Sequence, residues 1–271
     1  MKERLDILLV EKGFFETREK AKRAIMAGNV IVNEKKIDKS GTFIKLDMEP
    51  NIRIKGDICP YVSRGGYKLE KAIKVFQMDL KDKFVLDIGA STGGFTDCAL
   101  QNGAKFVYAV DVGTNQLDYK LRNNPQVKSM ENTHIKDLVI DDLDGKKMDV
   151  MVMDVSFISI TKVIPHLIKF FHENTELMAL IKPQFEVGKE NIDKGGIVKD
   201  KKNHLLAIEN IIECCRENGL TLKKIDFSPI KGGKGNVEYI SIIGLKNCGE
   251  KFSKEELMKI IEDGENLGGQ I

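Results

Sequence analysis

Four charged residues stand where such side chains look out of place: Lys68, Asp154, Lys182 and Glu238. Asp154 closes the apolar run Val150-Met151-Val152-Met153, and Lys182 directly follows Ala179-Leu180-Ile181. Glu238 falls inside the otherwise apolar stretch Val237 to Ile243, and Lys68 lies off the apolar face of a helical segment. Taken singly, each has an ordinary explanation: a solvated lysine, a helix cap, a strand-end lysine, a strand acid facing water. Together they would bring two acids and two bases to one ligand-binding edge, where neighbours move one another's proton affinities. Such a set can activate a hydroxyl, which is a poor nucleophile until it loses its proton. A lysine accepts that proton while the acids orient it and balance charge.

A ligand site for the same edge is written in Phe84-Val85-Leu86-Asp87-Ile88-Gly89-Ala90-Ser91-Thr92-Gly93-Gly94. An apolar run ends in an acid, a small-residue turn follows, and an amphipathic segment begins at Phe95, which reads as strand, tight turn, helix. The dinucleotide fingerprint needs a second glycine where Ser91 stands, and Asp87 is foreign to it. The Asp-x-Gly-x-Ser-x-Gly spacing is closer to sites for S-adenosylmethionine (SAM), which has no pyrophosphate to seat. The expected cofactor contacts are Asp87, Gly89, Ala90, Ser91, Thr92, Gly93, Gly94 and Phe95. To these the strand Phe106 to Val110 adds Asp111, placed for a ribose hydroxyl. Asp154 stands at the same edge, and Asn132, after the third strand, is a candidate for the adenine. His134 receives no role.

The elements that must position these residues alternate. A helix over Tyr67 to Phe76 precedes strands at Phe84, Phe106, Val127, Asp149 and Glu176. Helices are expected over Asn115 to Arg122, Thr161 to Phe171, His204 to Glu217 and Ser253 to Glu262, with strands over Leu220 to Phe227 and Val237 to Ile243. That order suits a doubly wound, mostly parallel sheet with one antiparallel strand, in which ligands sit outside the carboxyl ends of the strands. The loop Lys231 to Asn236 is basic and glycine-rich, but no Lys-Ser or Lys-Thr closes it as a phosphate loop.

Net charge is +2 over 271 residues, so whole-molecule electrostatics select no partner, but the distribution is uneven. Through Asp57 there are 13 Lys and Arg against 10 Asp and Glu; beyond it, 30 against 31. The five cysteines (Cys59, Cys98, Cys214, Cys215, Cys248) form no C-x-x-C pair, which argues against zinc and against a disulfide framework. A charged N-terminus and the lack of a long apolar run point to a cytoplasmic protein that does not enter a membrane.

Residues 1–58 read as a small α+β domain, 59–62 as a short linker stiffened by Pro60, and 63–271 as the α/β domain. In the first, Arg4 to Lys12 and Arg18 to Met26 are helical, Val30-Ile31-Val32 is a strand, Asn33 to Lys36 a turn, and strands follow near Thr42 and Asn51. Arg18, Lys20, Lys22 and Arg23 on the second helix, with Lys35 and Lys36 on the turn, make a phosphate-binding patch plausible beside the alternative of a solvated helix face. This stretch resembles the S-four-type RNA-binding domain through Arg4-Leu5-Asp6, Thr17-Arg18-Glu19-Lys20-Ala21 and Gly28-Asn29-Val30-Ile31-Val32-Asn33. The resemblance implies binding to structured RNA.

Over nearly the whole chain the sequence resembles the TlyA-type family, called hemolysin A in many descriptions. The matching residues are Val62-Ser63-Arg64-Gly65-Gly66-Tyr67-Lys68-Leu69, Asp87 through Asp97, Asp154-Val155-Ser156-Phe157-Ile158-Ser159, Lys182-Pro183-Gln184-Phe185-Glu186 and Gly235-Asn236-Val237-Glu238-Tyr239. That resemblance implies a Rossmann-like, FtsJ-like domain that methylates the 2′-hydroxyl of ribose in ribosomal RNA, with cytidine the target. It implies SAM as cofactor, a Lys68-Asp154-Lys182-Glu238 tetrad, RNA contacts that include Arg4 and Arg64, and no metal. A base amino-methyltransferase is disfavoured, because Val155-Ser156 replaces the Pro-Pro expected after the strand-four acid. A cytolysin, suggested by the family's other name, and a ribosome-assembly factor that binds SAM without turnover are the alternatives from other classes.

Overall fold

The computed structural model describes residues 2–15, 17–47, 49–55, 59–245 and 252–267; Asp57, Ile58 and Cys248 lie outside them. The chain divides into two compact units, one up to Pro60 and one from Tyr61 onward.

The first unit runs β1 (Lys2–Arg4), α1 (Leu5–Glu11), α2 (Arg18–Met26), β2 (Val30–Val32), β3 (Lys35–Ile37), β4 (Phe43–Lys45) and β5 (Ile52–Ile54). β1 pairs antiparallel with β4, and β2 lies between β3 and β5. Leu5, Leu8 and Leu9 of α1 and Ala21, Ala24 and Ile25 of α2 recur at helical spacing and bury against Val30, Val32 and Ile44. The Thr17 side chain caps α2 by accepting from the Lys20 amide at 3.3 Å. The turn after β2 is shorter than its polar residues suggest. Asn33 and Glu34 both adopt left-handed backbone, with φ of 49° and 63°, so a two-residue hairpin turn matches the strand twist and Lys35 and Lys36 already belong to β3. β1 has no apolar alternation, and nothing in the sequence betrays it.

The second unit holds α3 (Gly66–Phe76), β6 (Phe84–Ile88), α4 (Gly94–Gln101), β7 (Phe106–Val110), α5 (Tyr119–Arg122), β8 (Val127–Met130) and β9 (Val150–Met153). It continues through α6 (Ile164–Leu167), β10 (Glu176–Ile181), α7 (Pro183–Glu186), α8 (Lys201–Glu217), β11 (Leu220–Phe227), β12 (Tyr239–Leu245) and α9 (Lys254–Glu265). Its seven-stranded sheet has the order β11-β12-β10-β9-β6-β7-β8. β8, β7, β6, β9 and β10 are parallel; β12 runs antiparallel to both β10 and β11. Helices on both faces leave β9 and nearly all of β10 buried, which explains their unbroken apolar runs. The chain order reverses between β6 and β9, and a crevice at their carboxyl ends follows from that topology.

Three expected elements come out differently. The Asn115–Arg122 helix shrinks to α5, because Asn115 is left-handed (φ 55°) and Asp118 caps the turn by accepting from the Lys120 amide. The Thr161–Phe171 helix breaks into a 3₁₀ turn at Ile160–Lys162, α6 and a second 3₁₀ turn at Ile168–Phe170. Pro165 near the start of α6 supplies no amide donor to the preceding turn. Glu238 is not inside a strand, since β12 begins one residue later at Tyr239.

Candidate active site

The tetrad residues come from four separate elements. Lys68 sits in the first turn of α3, Asp154 follows β9, Lys182 follows β10, and Glu238 precedes β12. Lys68 Nζ lies 2.8 Å from Glu238 Oε2 and 3.0 Å from Asp154 Oδ2. Lys182 Nζ lies 2.6 Å from Asp154 Oδ1 and donates to Ser156 Oγ at 2.8 Å. The result is one chain of charges, Glu238–Lys68–Asp154–Lys182, ending on a hydroxyl. In the sequence Ser156 is one small residue among several after Asp154 and carries no assigned role.

Burial and pairing oppose each other along this chain. Burial alone would push Lys68 down, but the Asp154 and Glu238 carboxylates outweigh it and hold the ammonium above its ordinary pKa. Burial alone would raise Asp154; the Lys68 and Lys182 charges carry it below the usual carboxylate range. Lys68 is thereby held as a cation between two carboxyl groups, while Lys182 faces one carboxylate and one hydroxyl.

The tetrad lines a cavity of about 620 Å³. Asp87, Gly89, Ala90, Ser91, Thr92, Gly94 and Phe95 form one wall, and Arg64, Gln184 and the loop Lys231 to Lys234 form another. Asp87 is buried, accepts from Thr96 Oγ1 at 2.7 Å, and leaves its other oxygen, Oδ1, without a hydrogen-bond partner among the described residues. Burial, only partly offset by that bond, pushes it up to about 7. Gly89, at φ 80°, makes the close approach that its position needs: a Cβ there would come within 3.1 Å of the Asp154 carbonyl oxygen. A second cavity of about 390 Å³ opens beside it, lined by Asp111, Val112, Thr133, His134, Ile135 and Val155 among others. Asp111 accepts from the Ser91 and Gly113 amides, both at 2.7 Å, which locks its carboxylate at the rim. Volumes of this size are typical of small-molecule sites.

Two expected cofactor contacts are not brought there. Gly93 lines neither cavity; a Cβ on it would strike the Leu121 and Leu117 side chains, so it serves packing against α5. Asn132 lines neither cavity and forms a left-handed turn whose amide bonds Gly113 O, which leaves its neighbours Thr133, His134 and Ile135 at the wall. His134, given no role in the sequence, belongs to the smaller cavity. Phe157, in the sequence one residue of a motif, is 91% exposed, left-handed at φ 66°, and 5.5 Å from the Phe185 ring at the larger cavity.

Among the candidate RNA contacts, Arg64 is exposed on the cavity wall in the second unit. In the first unit, Arg4 and Arg18 are engaged by Asp6, a carboxylate with no solvent exposure: Arg4 Nε at 3.0 Å and Arg18 Nε at 2.7 Å. The Arg4 hydrogen bond, with Arg18, holds Asp6 at about 2 against the cost of burial. Lys22 pairs with Glu19 at 2.6 Å, and Arg23 Nε donates to the Glu19 carbonyl at 3.4 Å. Lys20, Lys35 and Lys36 are exposed. Among the described residues no group of carboxylates, histidines and cysteines could hold a metal ion, and no helix is long and apolar enough to cross a membrane.

Comparison with known proteins agrees with this architecture. The model of the FtsJ-like methyltransferase family matches residues 61–245, and that of the S4 domain matches residues 3–49. The chain is 46% identical to Hemolysin A of Brachyspira hyodysenteriae, over 88% of this chain and 98% of that one. It is 36% identical to the 16S/23S rRNA (cytidine-2′-O)-methyltransferase TlyA of Mycobacterium tuberculosis, over 87% of each. A solved structure of a hemolysin-named protein from Streptococcus thermophilus superposes with a TM-score of 0.77 at 42% identity, covering 98% of this chain and 96% of that one. With the family model spanning the crevice, the four-residue charge chain and the sheet that carries them, the chain belongs to the FtsJ-like methyltransferases and carries an S4 domain ahead of the methyltransferase fold.

Proposed function

We propose that this protein methylates the 2′-hydroxyl of a ribose in ribosomal RNA, with SAM as methyl donor and cytidine as target. The observation that carries the reading is the Glu238–Lys68–Asp154–Lys182 chain on the wall of a cavity that continues into a second, cofactor-sized one. The rRNA (cytidine-2′-O)-methyltransferase name of the Mycobacterium tuberculosis relative supports the substrate and the nucleoside.

The residues present suit SAM. The unpartnered oxygen of Asp87 matches an ammonium, Asp111 at the rim matches a ribose diol, and the apolar side chains Val112, Ile135 and Val155 match an adenine face. When bound, SAM supplies an electrophilic methyl group on a sulfonium. The chain's own residues then handle the nucleophile. Lys182, once neutral, accepts the 2′-hydroxyl proton; Asp154 and Ser156 fix the direction of its amine. Lys68 is the wrong base, because two carboxylates keep its proton on. Its ammonium instead bridges the Asp154 and Glu238 carboxyl groups. Phe157, exposed at the cavity, offers a flat apolar face to a nucleobase lifted from its stack.

The test is transfer of labelled methyl from SAM to ribosomal subunits that lack the modification, followed by digestion to nucleosides. Label on the ribose of cytidine is expected. Label on a base would overturn the reading, as would no transfer by a protein that binds SAM.

A further inference from the structure

The charges lining the larger cavity do not cancel, and the imbalance has a location. Its cations are Arg64, Lys68, Lys182, Lys231 and Lys234; its acids are Asp87, Asp154 and Glu238. Lys68 and Lys182 are consumed by Asp154 and Glu238 in the buried chain. Asp87 is deep, and its burial disfavours the charged form. Arg64, Lys231 and Lys234 are left, all exposed and without a carboxylate partner among the described residues. A cluster of uncompensated cations at one opening repels itself and would be relieved by a polyanion.

The loop that brings two of them there is held in place. Asn236, buried, donates to the Gly233 carbonyl at 3.3 Å and the Gly196 carbonyl at 2.9 Å, and accepts from the Val198 amide at 3.1 Å. The Gly232 amide bonds back to the Asn236 carbonyl at 2.8 Å. Gly232 also lies so near the tetrad that a Cβ on it would fall 2.0 Å from Glu238 Oε1. Lys231 and Lys234 are thus tied to the Glu238 carboxyl group through a few bonds of backbone.

We propose that Arg64, Lys231 and Lys234 form a phosphate-binding rim. It grips the backbone phosphates flanking the target nucleotide and thereby sets the depth at which the ribose reaches Lys182. The proposal rests on the RNA-methylating reading above. Phosphate contacts of this kind position a strand without reading its sequence.

The experiment compares the full-length protein with two charge-matched double variants, Lys231→Ala/Lys234→Ala at the rim and Lys254→Ala/Lys259→Ala on the exposed face of α9, outside the cavity. Arg64→Ala is added to the rim pair in a third protein. Affinity for the unmodified ribosomal subunit is measured across a salt series, with SAM affinity measured separately by calorimetry. Loss of two or three phosphate contacts should flatten the slope of log K against log salt by roughly 1.5 to 2 units, at about 0.7 per contact on a single strand. The KM for RNA should rise about tenfold or more, SAM affinity should stay the same, and Lys231→Arg/Lys234→Arg should restore the wild-type slope. An unchanged slope overturns the rim, and so does an equal loss in the α9 variant, which would mark a diffuse field. Weakened SAM binding with an unchanged slope also overturns it, assigning the cations to the cofactor carboxylate. Failure of the wild-type protein itself to methylate ribose is a different result, and it removes the functional reading rather than the rim alone.

Discussion

Two lysines share one carboxylate in this site, and their remaining neighbours separate their roles. Lys68 meets a second carboxylate, Glu238, and is held protonated; Lys182 meets Ser156 and, among the described residues, no second acid. Lys182→Arg should therefore be as inactive as an alanine variant, since a guanidinium does not give up its proton near neutrality. Glu238→Gln should cost less, about tenfold in turnover, because the amide still accepts from Lys68; steady-state rates on ribosomal subunits check both. Asp87 gives a pH signature. Its carboxyl, raised to about 7 by burial, is mostly ionised only above that pH, and the ionised form favours an ammonium. SAM affinity should rise between about pH 6 and 7.5, where the ammonium is still mostly protonated, and should be weaker and flat over that range in Asp87→Asn. Calorimetry at several pH values reads this directly, and a flat wild-type profile would remove Asp87 from the ammonium contact. Asp154 and Lys182 were legible in the sequence because a charge at the end of a buried run stands out, whereas Lys68, off the apolar face of a helix, stands out only beside the family motif. Ser156 and Gln184 were not, since small or neutral polar residues after a strand are common and only their neighbours in space give them a role.

At the scale of elements, the site depends on backbone brought close to side chains. Gly232→Ala would push a methyl group onto the Glu238 carboxylate. The obstructed atom is the end of a side chain, so the fold should survive with an unchanged melting temperature while turnover falls by about tenfold or more. A melting temperature lowered along with activity would instead mean that the loop itself needs the glycine. The parallel strands could be read from their apolar runs, and the switch point follows from their order. Helices whose limits depend on local competition could not. Pro165 and the left-handed Asn115 cut two amphipathic stretches short, and periodicity is blind to both. The adenine side shows the same limit. The turn at Asn132 points its successors, rather than Asn132, toward the smaller cavity.

Across the whole molecule, the two units use charge differently. In the first unit Arg4 and Arg18 serve a buried acid, so a basic cluster in sequence is partly internal structure. Asp6 titrates at about 2 when folded and near 3.9 when unfolded, so its contribution is complete above about pH 4 and is lost as pH falls toward 2. Asp6→Asn should destabilise this unit by about 2 kcal/mol at neutral pH and remove that acid step. All five tyrosines lie in the second unit and there is no tryptophan, so hydrogen exchange of peptides from α1 and α2, rather than fluorescence, should report the change. Lys35→Ala/Lys36→Ala, on exposed β3, should flatten the salt dependence of RNA binding by roughly 1.4 units, again at about 0.7 per lost contact; an unchanged slope would take β3 off the RNA surface. In the proposed reaction the 2′-hydroxyl proton passes to Lys182 during methyl transfer. Its most direct test is the single-turnover rate of label transfer from SAM to ribosomal RNA, measured for wild type and Lys182→Ala with both proteins saturated in SAM. The expected result is a fall of at least about a hundredfold with unchanged SAM affinity and fold; a near-normal rate in Lys182→Ala would contradict it.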